Sequence, residues 1–322
     1  MKALSKCEYG VLTLRDVEKP SPTDNQVLIK VRAASLNAVD GHLLRGFIPM
    51  RMLTGLRKPN DPRFGTDCAG TVESVGKNVT QFKQGDKVFG AANGAIAEYV
   101  CAAERTLVSK PDNITFEQAG SVAVAGLTAL QGLRDQGKIQ PGQKVLVNGA
   151  SGGVGTFAVQ VAKAFGAEVT AVCSPRNLKM ARSIGADHVI DYTKEDFTQG
   201  EQHYDLIFDN VGNHSIAERR RVLTPNGICV LAGMGSAGKH EGQWARLAGN
   251  LKAFFLSPLI SQKFKFFIAK VLNADLTVLR DLMQEGKVTP VIDRQYPMSE
   301  TAEALRYLEE GHARGKVVIT MD

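Results

Sequence analysis

Paired cysteines and long apolar runs are both absent from this sequence of 322 residues. Its five cysteines lie far apart, and no two of them form a C-x-x-C pair. That spacing offers neither a disulfide framework nor a cysteine-based metal site, and it predicts reduced thiols. No apolar run reaches the roughly 18 residues that a membrane-spanning helix needs, and residues 1–8 lack the apolar core of a secretion signal. The sequence therefore predicts a cytoplasmic protein with no membrane span.

Basic residues are too dispersed along the chain to predict a nucleic-acid-binding surface. The net charge is +6, and charged residues make up 22% of the chain. Basic residues cluster only at 219–221 and between 252 and 270, whereas a phosphate-binding surface needs many of them on one face. We interpret 219–221 as the solvated face of a helix. No nucleic-acid partner is predicted.

One stretch does carry a specific signal, a glycine-rich turn between a strand-like and a helix-like segment. Residues 145–148 are mostly apolar, and a helical pattern begins at Val154. Gly152 would let the backbone approach a diphosphate, and Gly155 would let the helix pack against the strand. The fingerprint G-x-G-x-x-G is met with its first glycine replaced. A purely structural turn is the alternative to dinucleotide binding, for which we predict these residues: Ala150, Gly152, Gly153, Val154 and Gly155.

The end of the second predicted strand indicates which nucleotide is bound. NAD-binding proteins usually place an Asp or Glu there, about 20 residues after the glycine turn, to hold the ribose 2′-hydroxyl. This chain has Ser174, Arg176 and Asn177 instead, with no carboxylate. A hydroxyl, a guanidinium and an amide suit a 2′-phosphate. We predict NADPH as the cofactor, and an ordinary polar loop with a solvent-facing arginine is the alternative.

The pattern of the chain changes near residue 110. Before it, strand-like segments alternate with turns, which predicts a mostly β domain. From residue 144 the order strand–helix–strand predicts a parallel sheet covered on both faces. Its strands are predicted at 145–147, 168–172, 188–190, 206–208 and 228–231. Helices are predicted at 116–133, 276–285 and 300–310, an extended segment at 286–292 and a last strand at 316–320.

Residues 243–272 mix phenylalanines with lysines. An amphipathic surface helix is one interpretation. We predict instead a loop and helix near the active site, followed by a strand at 266–271. Residues 47–56 and 244–259 are expected to form the wall of the substrate pocket.

Several segments together resemble the medium-chain dehydrogenase/reductase superfamily. They are 35–40 (SLNAVD), 65–90, 125–130 (AGLTAL), the glycine turn, 185–192 (GADHVIDY) and 311–319. The resemblance covers nearly the whole chain and is greatest to the zinc-free quinone oxidoreductase-like branch, including its chloroplast-envelope type. It implies an α/β fold with a GroES-like β-rich catalytic domain at 1–120 and 273–322. A Rossmann domain with a doubly wound parallel sheet is implied at 121–272.

That resemblance also implies an activity and an assembly. Members of the branch use NADPH to reduce quinones or the C=C bond of α,β-unsaturated carbonyls. A homodimer joined by sheet edges near 266–271 is implied as well. Two other functions stay open, a zinc-free alcohol or carbonyl dehydrogenase and a non-catalytic NADPH-binding protein similar to the crystallin relatives.

The residues at the zinc positions of the superfamily favour the zinc-free branch. Zinc-dependent relatives carry a cysteine where this chain has Asn37, and Gly-His-Glu where it has Gly65-Thr66-Asp67. Their third ligand, also a cysteine, is replaced within 122–126. A catalytic zinc needs three ligands of Cys, His or carboxylate type, and an amide or a hydroxyl is a poor substitute. No metal is predicted.

Without zinc, hydrogen-bond donors must stabilise the charge that develops on the substrate oxygen. Asn37 is the first candidate, with its amide facing the nicotinamide or that oxygen. Asp40 is expected to orient a neighbour or form the turn, and a direct catalytic part is the alternative. His42 is predicted to donate the proton that completes reduction. A ribose or phosphate contact and a surface position stay open for His42, as does water for the proton donor.

Further cofactor contacts are implied by positions that match the family. Thr128 is expected at a phosphate or the nicotinamide, or else as a buried helix hydroxyl. Tyr192 is expected near the adenosine phosphate, or else at the edge of the core. Arg314 and Lys316 are expected to reach the cofactor or to lie in a solvated loop. Ligands bind beyond the carboxyl ends of strands in such sheets, which adds these loop residues: Asn210, Val211, Gly233, Met234 and Gly235.

Overall fold

The computed structural model describes residues 1–46, 51–52, 55–232 and 261–321. Its strands are, in chain order, β1 (Lys2–Glu8), β2 (Val11–Asp16), β3 (Gln26–Leu36), β4 (Asp67–Val75), β5 (Lys87–Ala91), β6 (Tyr99–Ala103), β7 (Leu107–Ser109), β8 (Lys144–Asn148), β9 (Glu168–Cys173), β10 (His188–Asp191), β11 (Tyr204–Asp209), β12 (Leu223–Ala232), β13 (Lys263–Phe267), β14 (Ile292–Pro297) and β15 (Lys316–Thr320). Its α-helices are α1 (Ala38–Arg45), α2 (Phe116–Ala119), α3 (Ala123–Gln131), α4 (Gly153–Ala164), α5 (Leu178–Ser183), α6 (Ile216–Arg221), α7 (Asn273–Gln284) and α8 (Thr301–Glu309).

The chain divides into two units. The first consists of Met1–Ala125, Val271–Glu285 and Pro290–Asp322. The second consists of Gly126–Lys270 and Gly286–Thr289. Among the described residues, no helix is long and apolar enough to cross a membrane.

The first unit is rich in β-structure, as the sequence predicts. Its seven-stranded sheet has the order β14-β15-β3-β4-β5-β7, with β6 also paired to β3, and β1 and β2 form a separate two-stranded sheet. Alternation along β3 buries Ile29 and Val31 and exposes Lys30 and Arg32, which places one face of the strand on the core. Because β15 and β4 both run antiparallel to β3, both begin where β3 ends.

The second unit contains the predicted parallel sheet. Six strands lie in the order β10-β9-β8-β11-β12-β13, and all neighbouring pairs are parallel. Val145, Leu146 and Val147 of β8 are fully buried, as expected for a central strand covered on both faces. The five predicted strands fall within β8 to β12, and the sheet continues with β13. The prediction of an α/β fold with a β-rich domain and a Rossmann-type domain is confirmed.

Three predictions of local structure were wrong. The helix predicted at 116–133 is divided into α2 and α3 and continues as a π-helical turn over Gly132–Gln136. At the break, the Ser121 hydroxyl donates to the carbonyl of Gln118, an alternative to helical bonding. A Cβ on Gly120 would lie only 2.7 Å from the carbonyl oxygen of Ala33, so the chain approaches β3 closely there.

The segments at 266–271 and 286–292 also differ from expectation. The strand is Lys263–Phe267, because its register with β12 ends at the pair of Ala232 and Phe267. Gly286 has a φ of 71°, which turns the chain after α7, and regular pairing resumes only at Ile292. The predicted loop and helix between 243 and 265 lie largely outside the described residues.

The interpretation of 219–221 as a solvated face was wrong for one of its three arginines. Arg220 and Arg221 are exposed, but Arg219 is buried. Its Nε donates to Asp209 Oδ2 at 2.7 Å. A buried guanidinium requires such a partner, because an isolated charge in the interior is costly.

Candidate active site

Three polar residues of the first unit meet at the edge where β3 ends. Asn37 follows β3, Asp67 begins β4 and Lys316 begins β15. Ser35, the second-to-last residue of β3, lies opposite Asp67 in the sheet. The antiparallel register therefore brings together side chains that are far apart in the sequence.

The amide of Asn37 is bonded at both of its polar atoms. Its Oδ1 accepts a hydrogen bond from Lys316 Nζ at 2.6 Å, and its Nδ2 donates to Asp67 Oδ2 at 3.0 Å. The second Nδ2 hydrogen has no partner in the part of the chain that the structure describes. Asn37 thus offers one unused donor from a fixed position.

Asp67 is the centre of this cluster. Its Oδ2 accepts from Ser35 Oγ at 2.8 Å and from Lys316 Nζ at 3.2 Å, in addition to Asn37. Its Oδ1 accepts from the backbone amide of Val124 at 2.8 Å. The side chains of Asp67 and Lys316 are 0% and 2% exposed. The carboxylate is fully compensated, as a buried charge must be.

Asp40 fixes the start of the helix that follows Asn37. Its Oδ2 accepts from the backbone amide of Asn37 at 2.7 Å, and its own amide donates to the Asn37 carbonyl at 3.0 Å. Burial, the largest cause, and the charge of Asp67 together raise the pKa of the Asp40 carboxyl to about 7, against the bond from Asn37 and the charges of Lys316 and Lys6. This geometry suits the predicted orienting role, and a direct catalytic part stays a prediction.

His42 lies on α1 and is partly buried. Its Nε2 is buried and has no hydrogen-bond partner among the described residues. Burial lowers the pKa of the imidazole, Arg45 lowers it further, and Glu309, which forms an ion pair with Arg45, opposes this. The ring is therefore neutral near pH 7.

The glycine turn of the second unit differs in one detail from the predicted fingerprint. Gly149 has a φ of 81°, in the region that favours glycine. Ala150, the residue at the position of the missing first glycine, is fully buried. The amides of Gly149 and Ala150 both donate to the Val172 carbonyl, at 3.2 and 3.0 Å. The tight turn is thus made by Gly149, and the amide of Ala150 is used to hold the turn to β9.

Gly152 and Gly155 stand in very different surroundings. A Cβ on Gly152 would meet only the Gly149 carbonyl oxygen, at 3.7 Å. A Cβ on Gly155 would lie 2.0 Å from that oxygen and 2.8 Å from backbone atoms of Ala150. Gly155 is therefore required by packing, whereas the space beside Gly152 is open. The first-turn amides of α4, those of Gly153, Val154 and Gly155, have no acceptor four residues earlier within the helix.

The predicted 2′-phosphate residues lie together at the carboxyl ends of β9 and β10. Asn177 Nδ2 donates to Ser174 Oγ at 3.0 Å, and Asn177 Oδ1 is buried without a partner among the described residues. The amide of Tyr192 donates to the Cys173 carbonyl at 3.3 Å, so Tyr192 is held beside this loop with its side chain exposed. Arg176 is also exposed.

A second polar cluster fixes the loop after β11. Asp209 Oδ1 accepts from the amides of Val211 and Gly212 at 3.0 and 2.9 Å and from Asn148 Nδ2 at 2.9 Å. The amide of Asn210 donates to the Asn148 carbonyl at 3.1 Å. The loop with Asn210 and Val211 is thus attached to the end of β8, directly before the glycine turn. These residues are on one edge of the sheet, where a nucleotide binds in such folds.

Comparison with known proteins agrees with this architecture. Residues 23–112 match the model of the alcohol dehydrogenase GroES-like domain, and residues 184–319 match that of the zinc-binding dehydrogenases. The chloroplast envelope quinone oxidoreductase homolog of Arabidopsis thaliana is 34% identical over 99% of this chain and 98% of its own length. The chain belongs to the medium-chain dehydrogenase/reductase superfamily. It falls in the quinone oxidoreductase-like branch, as the sequence resemblance implies.

Two further relatives support the assignment to this branch. The NADPH-dependent alkenal/one oxidoreductase of A. thaliana is 34% identical over 99% of this chain and 79% of its own length. The structure of the quinone oxidoreductase from Coxiella burnetii superposes with a TM-score of 0.84, at 32% identity, and covers 100% of this chain and 99% of that one. The chain is an oxidoreductase of a nicotinamide-dependent family.

The donor set of this superfamily member does not fit a catalytic zinc ion. Asn37 supplies an amide where zinc-dependent relatives have a thiolate, and Thr66 supplies a hydroxyl where they have an imidazole. An amide and a hydroxyl are both poor zinc ligands. Asp67, the carboxylate bonded to the Asn37 side chain, is already paired with the ammonium of Lys316. Among the described residues, no group of three His, Cys, Asp or Glu side chains could hold a metal.

The residues of the second unit, in contrast, do fit a nicotinamide dinucleotide. The open space beside Gly152 is a cradle that a Cβ would fill, and the first turn of α4 presents amides to an anion. Thr128 lies on α3 and is partly buried, so the structure leaves both of its predicted roles open. Gly233, Met234 and Gly235 lie outside the described residues.

The two cationic residues predicted near the cofactor, Arg314 and Lys316, differ from each other in their surroundings. Arg314 is exposed, and its amide donates to Asp293 Oδ2 at 3.0 Å. One of the two predictions for Lys316, a solvated loop, was wrong, because Lys316 begins β15 and is buried. Its ammonium bonds to Asn37 and Asp67.

Sequence reasoning missed the roles of Asp67, Ser35, Asn148 and Asp209. Each of the four is a polar residue next to or within an apolar strand. Such a position is the only signal available, because a polar residue is buried in an apolar strand only when it has partners. Which partner it has depends on the strand order.

Proposed function

We propose that this oxidoreductase reduces quinones or the C=C bond of α,β-unsaturated carbonyls with NADPH and without a metal ion. The observation that carries the proposal is the Asn37 amide, held between Lys316 and Asp67 with one unused N–H. It provides a neutral hydrogen-bond donor at the position where zinc-dependent relatives carry a thiolate ligand. The relatives named quinone oxidoreductase and alkenal/one oxidoreductase support the substrate class.

Conjugated substrates suit a site that lacks a Lewis acid. A simple carbonyl or an alcohol needs strong polarisation, which a metal supplies. In a quinone or an enone, charge spreads from the reacting carbon to a carbonyl oxygen, so hydrogen bonds at that oxygen lower the barrier. We assign this task to Asn37 Nδ2. The fixed amide does not have to reorient when the charge develops.

NADPH, when bound, supplies the hydride. Gly152 gives its pyrophosphate room, and the first-turn amides of α4 face the negative charge. Ser174, Arg176 and Asn177 would hold the 2′-phosphate at the end of β9, and Tyr192, after β10, would lie near the adenosine phosphate.

Replacement of Arg176 tests the choice between NADPH and NADH. Arg176→Ala is expected to lower the preference for NADPH over NADH, measured as a ratio of kcat/KM values, by roughly tenfold or more. The reason is that one charge-assisted hydrogen bond contributes about 1.5–3 kcal/mol. Kinetics with NADH should stay close to wild type, since NADH has no 2′-phosphate. An unchanged ratio would assign Arg176 to an ordinary solvated loop.

His42 is assigned the proton that completes reduction. His42→Phe is expected to lower kcat about tenfold or more, because general acid catalysis contributes roughly 10²–10⁴-fold in rate. The affinity for NADPH, measured by fluorescence titration, should remain nearly unchanged. The lowered pKa of the ring means that the protonated form grows as the pH falls, so kcat should rise toward acidic pH in the wild type only. Equal kcat values for both proteins would make water the donor.

Steady-state assays with NADPH and a quinone, an enone and a secondary alcohol test the function itself. Turnover of the quinone or the enone supports the proposal, and preferred oxidation of the alcohol would support a zinc-free alcohol dehydrogenase. Tight NADPH binding without any turnover would favour the crystallin-like alternative. Activity that is lost on dialysis against a chelator and restored by Zn²⁺ would overturn the zinc-free reaction.

A homodimer and a cytoplasmic location belong to the same proposal. Among the described residues, β13 is an edge strand of its sheet, and Phe266 within it and Ile268 just after it are exposed, at 47% and 78%. An edge strand with exposed apolar side chains favours association with a second copy. Light scattering that gives the mass of one 34.7 kDa chain would exclude the dimer. Fractionation of cells that express the full chain tests the location.

A further inference from the structure

Lys316 is buried where an apolar residue would cost less. Its side chain is 2% exposed, and the next three residues of β15, residues 317–319, are fully buried and apolar. Replacing a buried ion pair by apolar residues is often neutral or stabilising. The stability of the fold therefore gives little reason for an ammonium at this position. The hydrogen bonds of Lys316 suggest a different reason.

The two charges beside Asn37 determine which way its amide points. An ammonium can only donate hydrogen bonds, and a carboxylate can only accept them. Asn37 must therefore direct Oδ1 to Lys316 and Nδ2 to Asp67. A reversed amide would set its NH₂ group against the ammonium and its carbonyl against the carboxylate.

Capping of α1 fixes the Asn37 side chain in the same direction. A residue that precedes a helix commonly uses its side-chain oxygen to cap the first turn. Asn37 and Asp40 form such a capping box, in which the Asn37 side chain accepts from the Asp40 backbone amide and the Asp40 carboxyl accepts from the Asn37 backbone amide. The cap uses only the oxygen of the Asn37 side chain, so its Nδ2 is left for other partners.

We propose that Lys316 is a positioning residue for the reduction and acts only through Asn37. It sets the orientation of the amide, and its bond to Oδ1 withdraws electron density and strengthens the remaining Nδ2–H as a donor, as in other chains of hydrogen bonds. That N–H faces the substrate oxygen, which gains negative charge when hydride adds to the conjugated carbon. The inference rests on the proposed function, and it replaces a direct contact of Lys316 with the cofactor.

The test removes the charges of Lys316 and Asp67 and compares the effect on kcat in the presence and absence of Asn37. Lys316→Met alone leaves Asp67 as an unpaired buried charge and can prevent folding, so Lys316→Met/Asp67→Asn is the principal variant. We expect kcat for the quinone or enone to fall at least tenfold with the NADPH Kd unchanged. In the Asn37→Ala background, the same two substitutions should cause no further fall. Lys19→Met/Glu73→Gln, which removes an exposed ion pair of the same unit, is the matched control and should keep wild-type kcat.

Three kinetic or binding results would each overturn the inference. They are an unchanged kcat, a fall of equal size in the Asn37→Ala background, and a raised NADPH Kd with unchanged kcat, which would make Lys316 a cofactor contact. The side-chain ¹⁵N–¹H signals of Asn37, identified by their loss in Asn37→Ala, give a readout without turnover. They should shift in the principal variant and not in the control, and unshifted signals would also reject the role. A wild-type protein that turns over no quinone or enone defeats the proposed function instead, since the signals still report on Lys316.

Discussion

Gly152→Ala is expected to raise the Kd for NADPH at least tenfold while the free energy of unfolding stays close to wild type. Gly152 has φ and ψ of −80° and 176°, which alanine adopts without strain, and the new methyl group would meet only one atom, at 3.7 Å. The fold therefore tolerates it. In the bound state the methyl group would occupy the space that the pyrophosphate needs. A tenfold change corresponds to about 1.4 kcal/mol of binding free energy.

Gly155→Ala is the matched control for that experiment. Its methyl group would lie 2.0 Å from the Gly149 carbonyl oxygen, so backbone atoms must move, and overpacking of this kind costs about 1–3 kcal/mol. Urea denaturation and NADPH fluorescence titration should then separate the two variants, with Gly155→Ala losing stability and Gly152→Ala losing affinity. If Gly152→Ala binds NADPH as tightly as the wild type, the glycine-rich segment is only a structural turn.

The second large effect concerns the pH dependence of stability. Burial raises the pKa of Asp40 from 3.8 to about 7. Between these two values the folded protein binds a proton that the unfolded chain releases, so the free energy of unfolding falls as the pH rises from about 4 to about 7. One unit of pKa difference corresponds to 1.36 kcal/mol, and the full fall is therefore on the order of 4 kcal/mol.

Asp40→Asn should remove this dependence. An asparagine keeps an oxygen that can accept from the Asn37 amide, but it carries no titratable group. Urea denaturation at pH 5 and pH 8 is expected to show the wild type losing several kcal/mol relative to Asp40→Asn between the two values. Parallel pH profiles for the two proteins would mean that the carboxyl is ionised in the fold at both pH values, with Lys6 and Lys316 compensating its burial.

The order of elements and the nucleotide-binding turn could be predicted because their signals are local. A strand followed by Gly149–Gly155 and a helix is visible within a dozen residues or so, and the alternation that marks β3 spans a single segment. The break at Gly120 was not predictable, because it depends on the approach of β3, whose Ala33 lies far away in the sequence.

The polar cluster around Asn37 shows a second limit of local patterns. Asn37 could be singled out from the residues at the zinc positions, but its partners depend on the strand order β15-β3-β4. Lys316 is the first residue of an apolar strand, and nothing next to it in the sequence distinguishes a buried ammonium from a solvated one. Arg219 was misinterpreted for the same reason, since Arg220 and Arg221, which follow it, are exposed and its carboxylate partner lies on β11.

The separation of 249 residues between Asp67 and Lys316 has a consequence for biosynthesis. β15 lies between β14 and β3 in the first unit's sheet, yet the ribosome makes it only after residues 126–270 of the second unit. The parallel sheet can form on the nascent chain, whereas the sheet of the first unit must wait, with residues 33–36 of β3 unpaired on the side that β15 later occupies. We expect the nascent first unit to depend on chaperones until β15 emerges, because an open strand edge is prone to aggregate.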